Sequence, residues 1–264
     1  MENLKDLNKI CQKKDYKKVG NWMVRYIVRD AALPFTWLLL HTPITANQVT
    51  VVSITVVSVA PWFFAKGEAN TFLIGSMLLQ FWYLIDHIDG QIARYRKQES
   101  ITGVFLDFIS HYFPHLLIFP FISIGLFRNE QDLIYMYMGI LTGAFLTLIN
   151  LIFDCKYKSF FWGVSKYGYT RINIECGEEK IVKAKGIARV LFSWLYKGCE
   201  IHVIINILLF LSIFLSTTCL DFEGSIKVLL ISYALLSAFV FVLKLSYYVI
   251  GKRIDADFFN TFQK

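Results

Sequence analysis

Residues 71–94 read TFLIGSMLLQFWYLIDHIDGQIAR, and residues 101–111 read ITGVFLDFISH. The first run is apolar enough to cross a bilayer, yet its second half carries Asp86, Asp89 and Arg94. The second opens a further apolar run with Asp107 and His111. Ionisable groups at membrane depth are costly unless they hold a metal, a substrate or each other, so they mark a functional site by default. Two oily helices with facing polar ends point to a helical membrane protein built around a polar cluster.

The composition agrees. Of 264 residues, 56% are hydrophobic, 17% aromatic and only 18% charged, with mean hydropathy +0.49. A soluble domain would be far less oily, so a polytopic membrane protein is the expected class. The net charge of +7 reads as cytoplasmic loops facing anionic headgroups, and no basic-aromatic patch suggests nucleic acid. Cys11, Cys155, Cys176, Cys199 and Cys219 have no CxxC spacing and read as reduced thiols, not a disulfide framework or zinc site. The first twenty residues are lysine-rich and lack the apolar run of a cleavable signal, so the first span is expected to target the chain.

Outward from the central stretch, six spans are expected near 47–65, 71–94, 101–127, 133–153, 201–219 and 226–250, with turns at Lys66-Gly67, Arg128-Asn129 and Glu223-Gly224. Residues 1–42 are expected to lie at the interface. Leu4, Leu7, Ile10 and Cys11 recur at helical spacing among lysines, and residues 21–41 are interrupted by Arg25, Arg29, Asp30 and Pro34. The six-span domain is then 43–264. Of the 27 lysines and arginines, 23 fall on one side: eight before residue 30, three at 94–97, nine at 153–199 and three after 250. Both termini are therefore expected in the cytoplasm. The basic stretch 154–200 reads as a long cytoplasmic loop, with a small hairpin between Tyr169–Glu175 and Ile181-Val182. Lys183, Lys185 and Arg189 could hold an anionic acceptor there, or simply be solvated.

Asp86 and Asp89 share one helix face, and so do Asp107 and His111. Counted from a turn at Gln98, Asp89 and Asp107 both lie nine residues away, with Asp86 and His111 at twelve and thirteen. A hairpin brings all four to one depth, just inside the cytoplasmic boundary. Carboxylates facing one another at that level call for a divalent cation, and oxygen ligands favour magnesium or manganese over zinc. Such a centre suits phosphoryl transfer, because metals bridge phosphate oxygens. Arg94 could neutralise a diphosphate. Gly90, Ala93 and Gly103 could admit a nucleotide close to the backbone or only let helices pack closely.

The pattern Asp86-x2-Asp89-Gly90-x2-Ala93-Arg94-x8-Gly103-x3-Asp107-x3-His111 resembles the signature of the CDP-alcohol phosphotransferases, integral membrane enzymes of phospholipid synthesis, with no spacing error from Asp86 to Asp107. Thr45-Ala46-Asn47-Gln48-Val49-Thr50 is similar to the segment opening that family's first span, with alanine replacing its proline. The resemblance implies Mg2+ or Mn2+ on Asp86, Asp89 and Asp107. It implies donor contacts from Gly90, Ala93, Arg94 and Gly103, with Asn47 and Thr50 adjoining, and a homodimer. The reaction implied is transfer of a substituted phosphate from a CDP-linked lipid or alcohol to an acceptor hydroxyl, releasing CMP.

The last motif position departs from the family. His111 stands where the relatives place an aspartate that acts as base and as ligand to a second metal. A histidine can take a proton, with a reference pKa near ~6.5. As a neutral ligand it should hold a second metal more loosely. His115 and His87 read as packed interior residues. Two other readings are a CDP-lipid-binding scaffold disarmed at His111, and a cation transporter; the carboxylates lie near one face instead of the midplane, which speaks against the transporter.

Overall fold

The computed structural model describes residues 3–12, 17, 20–168, 171–172, 187–218 and 220–263. The described chain is almost wholly helical: α1 (Leu4–Cys11), a wide π-type turn (Val24–Val28) running into α2 (Arg29–Leu40), α3 (Ala46–Phe64), α4 (Ala69–Arg96), α5 (Ile101–Glu130), α6 (Leu133–Tyr167), α7 (Ile187–Gly198), α8 (Ile201–Thr217), α9 (Phe222–Ile250) and α10 (Arg253–Thr261). Five of these, α3, α4, α5, α6 and α9, are long and apolar enough to cross a membrane. A sixth crossing arises if Val190–Gly198 and α8, bent by 63° at their junction, form one broken span. The protein is an all-α membrane protein.

Local chemistry sets the boundaries. α3 starts at a reciprocal cap: Gln48 N–H donates to Thr45 Oγ1 at 3.3 Å, and Thr45 N–H donates to Gln48 Oε1 at 2.9 Å. α5 starts at Ser100, whose Oγ accepts from Gly103 N–H at 3.0 Å. α4 stops at Lys97, in the left-handed conformation (φ 52°). Lys97 to Ser100 thus form the tight reversal that sets α4 antiparallel to α5. α4 packs against α3 and α8, α5 against α3 and α6, and α9 against α6. Trp82, Leu79, Phe64, Phe72, Ile118 and Phe119 fill the core between α3, α4 and α5. Two polar ties cross this core: Trp82 Nε1–H donates to Ser110 Oγ at 3.2 Å, and Gln80 Nε2–H reaches Ile205 O and Asn206 Oδ1, both at 3.1 Å. Val51, Trp62, Phe210 and Leu235 stay exposed, as a lipid-facing surface requires.

The stretch 154–200 is not one long loop. α6 runs fourteen residues past Phe153, and α7 occupies Ile187–Gly198. Charge did not end α6, and Asp154, Lys156 and Lys166 each found a partner. Lys156 Nζ donates to Asp257 Oδ2 at 2.6 Å and lies over the rings of Phe160 and Tyr248 at 5.4 and 5.6 Å. Phe160 packs edge-on to Phe258 of α10 at 5.5 Å. The expected hairpin falls mostly on residues 173–186, outside the described residues. The backbone of Arg171–Ile172 pairs instead, antiparallel, with Phe262–Gln263. Pro34 likewise leaves α2 unbroken, so the segment 21–41 continues as a helix from the wide turn to Leu40.

Candidate active site

The α4–α5 hairpin brings the expected cluster together. Asp86 and Asp89 project from the last turns of α4, and Asp107 and His111 from the first turns of α5. His111 Nε2 lies 3.5 Å from Asp86 Oδ2 and 3.6 Å from Asp107 Oδ1. One ligand atom from each of these three residues falls within 4.8 Å of the others. An octahedral ion with oxygens at about 2.1 Å sets its ligands about 3 to 4.2 Å apart, so the spacing suits a divalent cation. Asp86 is 9% exposed, and its Oδ1 is buried with no hydrogen-bond partner among the described residues. A buried carboxylate oxygen left open in this way is expensive unless an ion completes it.

Asp89 is placed differently. Thr50 Oγ1 donates to its Oδ2 at 2.6 Å, which ties α3 to α4, and Asp89 stands beside the three-residue cluster. All four residues line one cleft of about 480 Å3, together with Asn47, Thr50, Gly90, Ala93, Arg94 and Gly103. The glycines have reasons to be glycine. A methyl on Gly103 would lie 3.1 Å from Asn47 Oδ1 and 3.3 Å from Ser100 Oγ, and one on Gly90 would lie 3.2 Å from an Arg94 Nη. A side chain at either position would push these side-chain ends back by a few tenths of an ångström. The buried Trp82 lies edge-on to the His111 ring at 6.1 Å.

The remaining candidates separate. His87, expected as a packed interior residue, lines the same cleft, with Nδ1 2.9 Å from the carbonyl of Tyr83 and 4.0 Å from Asp86 Oδ2, whereas His115 is buried outside it. Lys183 and Lys185 lie outside the described residues, and of Arg189 only the backbone, within α7, is described. Residues not singled out from the sequence also reach the cleft: Arg29, Gln91 and Ser100. Gln91 is buried, donates Nε2–H to Arg29 O at 2.9 Å and accepts from Thr36 Oγ1 at 2.6 Å. The available signal is an arginine and an amide within apolar helices; Arg29 reads from the sequence as a break in hydrophobicity, and Gln91 carries no sequence signal of its own. A second cavity of about 760 Å3 meets the cleft at Asn47; Phe35, Leu38, Val51, Phe81 and Ile85 give it apolar walls on the outer face of α2, α3 and α4.

Residues 43–249 match the family model of the CDP-alcohol phosphatidyltransferases. The chain belongs to that family. No curated protein shows a significant match to it. As a CDP-alcohol phosphatidyltransferase, the protein is a transferase of substituted phosphate groups, moving them from a CDP-alcohol in lipid synthesis. Members of the family generally depend on a divalent metal, and in this CDP-alcohol phosphatidyltransferase the donor set at Asp86, Asp107 and His111 fits one.

Proposed function

We propose that this enzyme transfers a phosphatidyl-type group from a CDP-linked lipid to the hydroxyl of a soluble acceptor and releases CMP. The observation that carries the reading is the single cleft joining Asp86, Asp89, Asp107, His111 and Arg94, with Asp86 Oδ1 buried and unpartnered among the described residues. The apolar cavity that meets the cleft at Asn47 supports a lipid on the donor, because acyl chains could lie there while the nucleotide stays among polar groups.

In this proposal Asp86, Asp89 and Asp107, with His111 at the edge, would hold Mg2+ or Mn2+, which would supply positive charge beside the diphosphate. Arg94 grips the diphosphate, Gly90, Ala93 and Gly103 leave it room, and Asn47 and Thr50 orient the nucleotide side. His111 Nε2 takes the acceptor's proton. The freed oxygen forms a bond to the β-phosphorus in line, and the bond from that phosphorus to the bridging oxygen breaks, leaving that oxygen on CMP. Nε2 cannot bind a metal and take a proton at once; its place beside two carboxylates supports the base role if the metal sits on the carboxylates. Lys183, Lys185 and Arg189 are proposed to draw in an anionic acceptor.

The charge distribution supports termini and site on the cytoplasmic side, with residues 1–42 an interfacial segment ahead of the domain at 43–264. A homodimer is proposed from the family alone.

The test is CMP release by purified protein in detergent, with CDP-diacylglycerol and CDP-choline each offered to a panel of hydroxyl acceptors, in magnesium and in manganese. Release with CDP-diacylglycerol and a defined lipid product supports the reading. Release only with CDP-choline and diacylglycerol would reverse the donor assignment, and activity in His111→Asp but not in the native chain would mean a disarmed site.

A further inference from the structure

The contact that orients Arg94 comes from outside the family match. Its Nε–H donates to the backbone carbonyl of Cys11, the last residue of α1. With Nε engaged there, the two Nη groups lie over Gly90, 3.2 and 3.5 Å from where its β-carbon would be, and face the cleft. The last carbonyls of a helix have no partner within it and carry its negative end, so a guanidinium is a fitting partner.

The carbonyl is itself held in place. Leu7 and Cys11, 1% and 0% exposed, pack with Leu33 of α2, against Leu40 and Tyr95. Gln12, the next residue, donates Nε2–H to Arg29 O at 3.4 Å, the same carbonyl that accepts from Gln91. At this one point α1, α2 and α4 are tied together beside the cleft.

We propose that the Cys11 carbonyl is a positioning group for donor binding, and that α1 completes the site by holding Arg94 where its fork meets a CDP diphosphate. The inference rests on the CDP-donor reading above. An arginine free to sample solvent would lose its rotamer freedom on binding, whereas one already fixed by α1 loses little. The N-terminal helix then acts on donor affinity through Arg94, not on the chemical step.

Calorimetric titration of CDP, with magnesium, into the full-length protein in detergent tests this directly. Leu7→Asp should undock α1 and weaken CDP by about tenfold, the size of one hydrogen bond to a charged group. Leu7→Met should restore native affinity. On an Arg94→Ala background Leu7→Asp should add nothing, because both changes remove the same contact. Effects that add on that background, or tighter CDP binding in Leu7→Asp, would overturn the proposal; the second result would make α1 an obstruction. If Leu7→Asp does not fold, Gln12→Ala, which loosens the same end of α1, is read by the same criteria with a smaller shift. A native protein that binds no CDP sinks the donor reading and this inference with it. A native protein that binds CDP and releases CMP, while Leu7→Asp titrates as native, sinks the positioning role alone.

Discussion

The α4–α5 turn and the far end of α6 both carry charged residues out of a membrane helix, but they settle those charges differently. Beyond Phe153 two of the charges meet partners within the chain: Tyr112 donates to Asp154, and Lys156 pairs with Asp257 and sits over two rings. At the α4–α5 turn, Asp86 and Asp107 face each other across a histidine, and Asp86 Oδ1 has no hydrogen-bond partner among the described residues. A cluster whose charges are matched internally is a structural device. A cluster left with unmatched charge of one sign is built around something that comes from outside.

That contrast can be tested from both ends. Asp86→Asn should reduce CMP release by at least about a thousandfold, since a metal supplies several kcal/mol of charge stabilisation. It should also abolish manganese binding measured by electron paramagnetic resonance. Chelation with EDTA should silence the native enzyme to the same degree and reverse on adding magnesium. His111→Ala should slow turnover about 10²–10⁴-fold, the range of general base catalysis, while manganese binding persists. Loss of manganese binding in that variant would move His111 from base to ligand. Gly103→Ala should displace Asn47 and raise the donor KM by about tenfold with kcat nearly unchanged. At the far end of α6, Asp257→Asn should leave CMP release untouched and lower stability by about 0.5 kcal/mol, as half-exposed ion pairs do. A large loss of activity there would erase the distinction between the two regions.

The sequence carried some of these features further than others. Asp86, Asp89, Asp107 and His111 were placed at one depth because helical spacing and a short turn leave a hairpin little freedom, and the structure brings them to one cleft. The length of α6 escaped because Lys156 and Lys158 look like a membrane exit, and their register says nothing about Asp257, about a hundred residues away. Arg29 and Gln91 escaped for the same reason: their roles depend on how α2 lies across α4, a tertiary packing that no local pattern encodes. Spacing within a hairpin is local information, and helix-against-helix docking is not.

Asn47 stands where the polar cleft and the apolar cavity meet. A substrate long enough to occupy both would be bent across that seam, with one half in contact with water and the other with the bilayer. Once cut, its halves would have separate ways out: the nucleotide straight into the aqueous phase, the lipid sideways between α2 and α3. Neither departing product would then have to pass the other, and free nucleotide would compete with fresh donor while finished lipid diffuses off in the plane of the membrane.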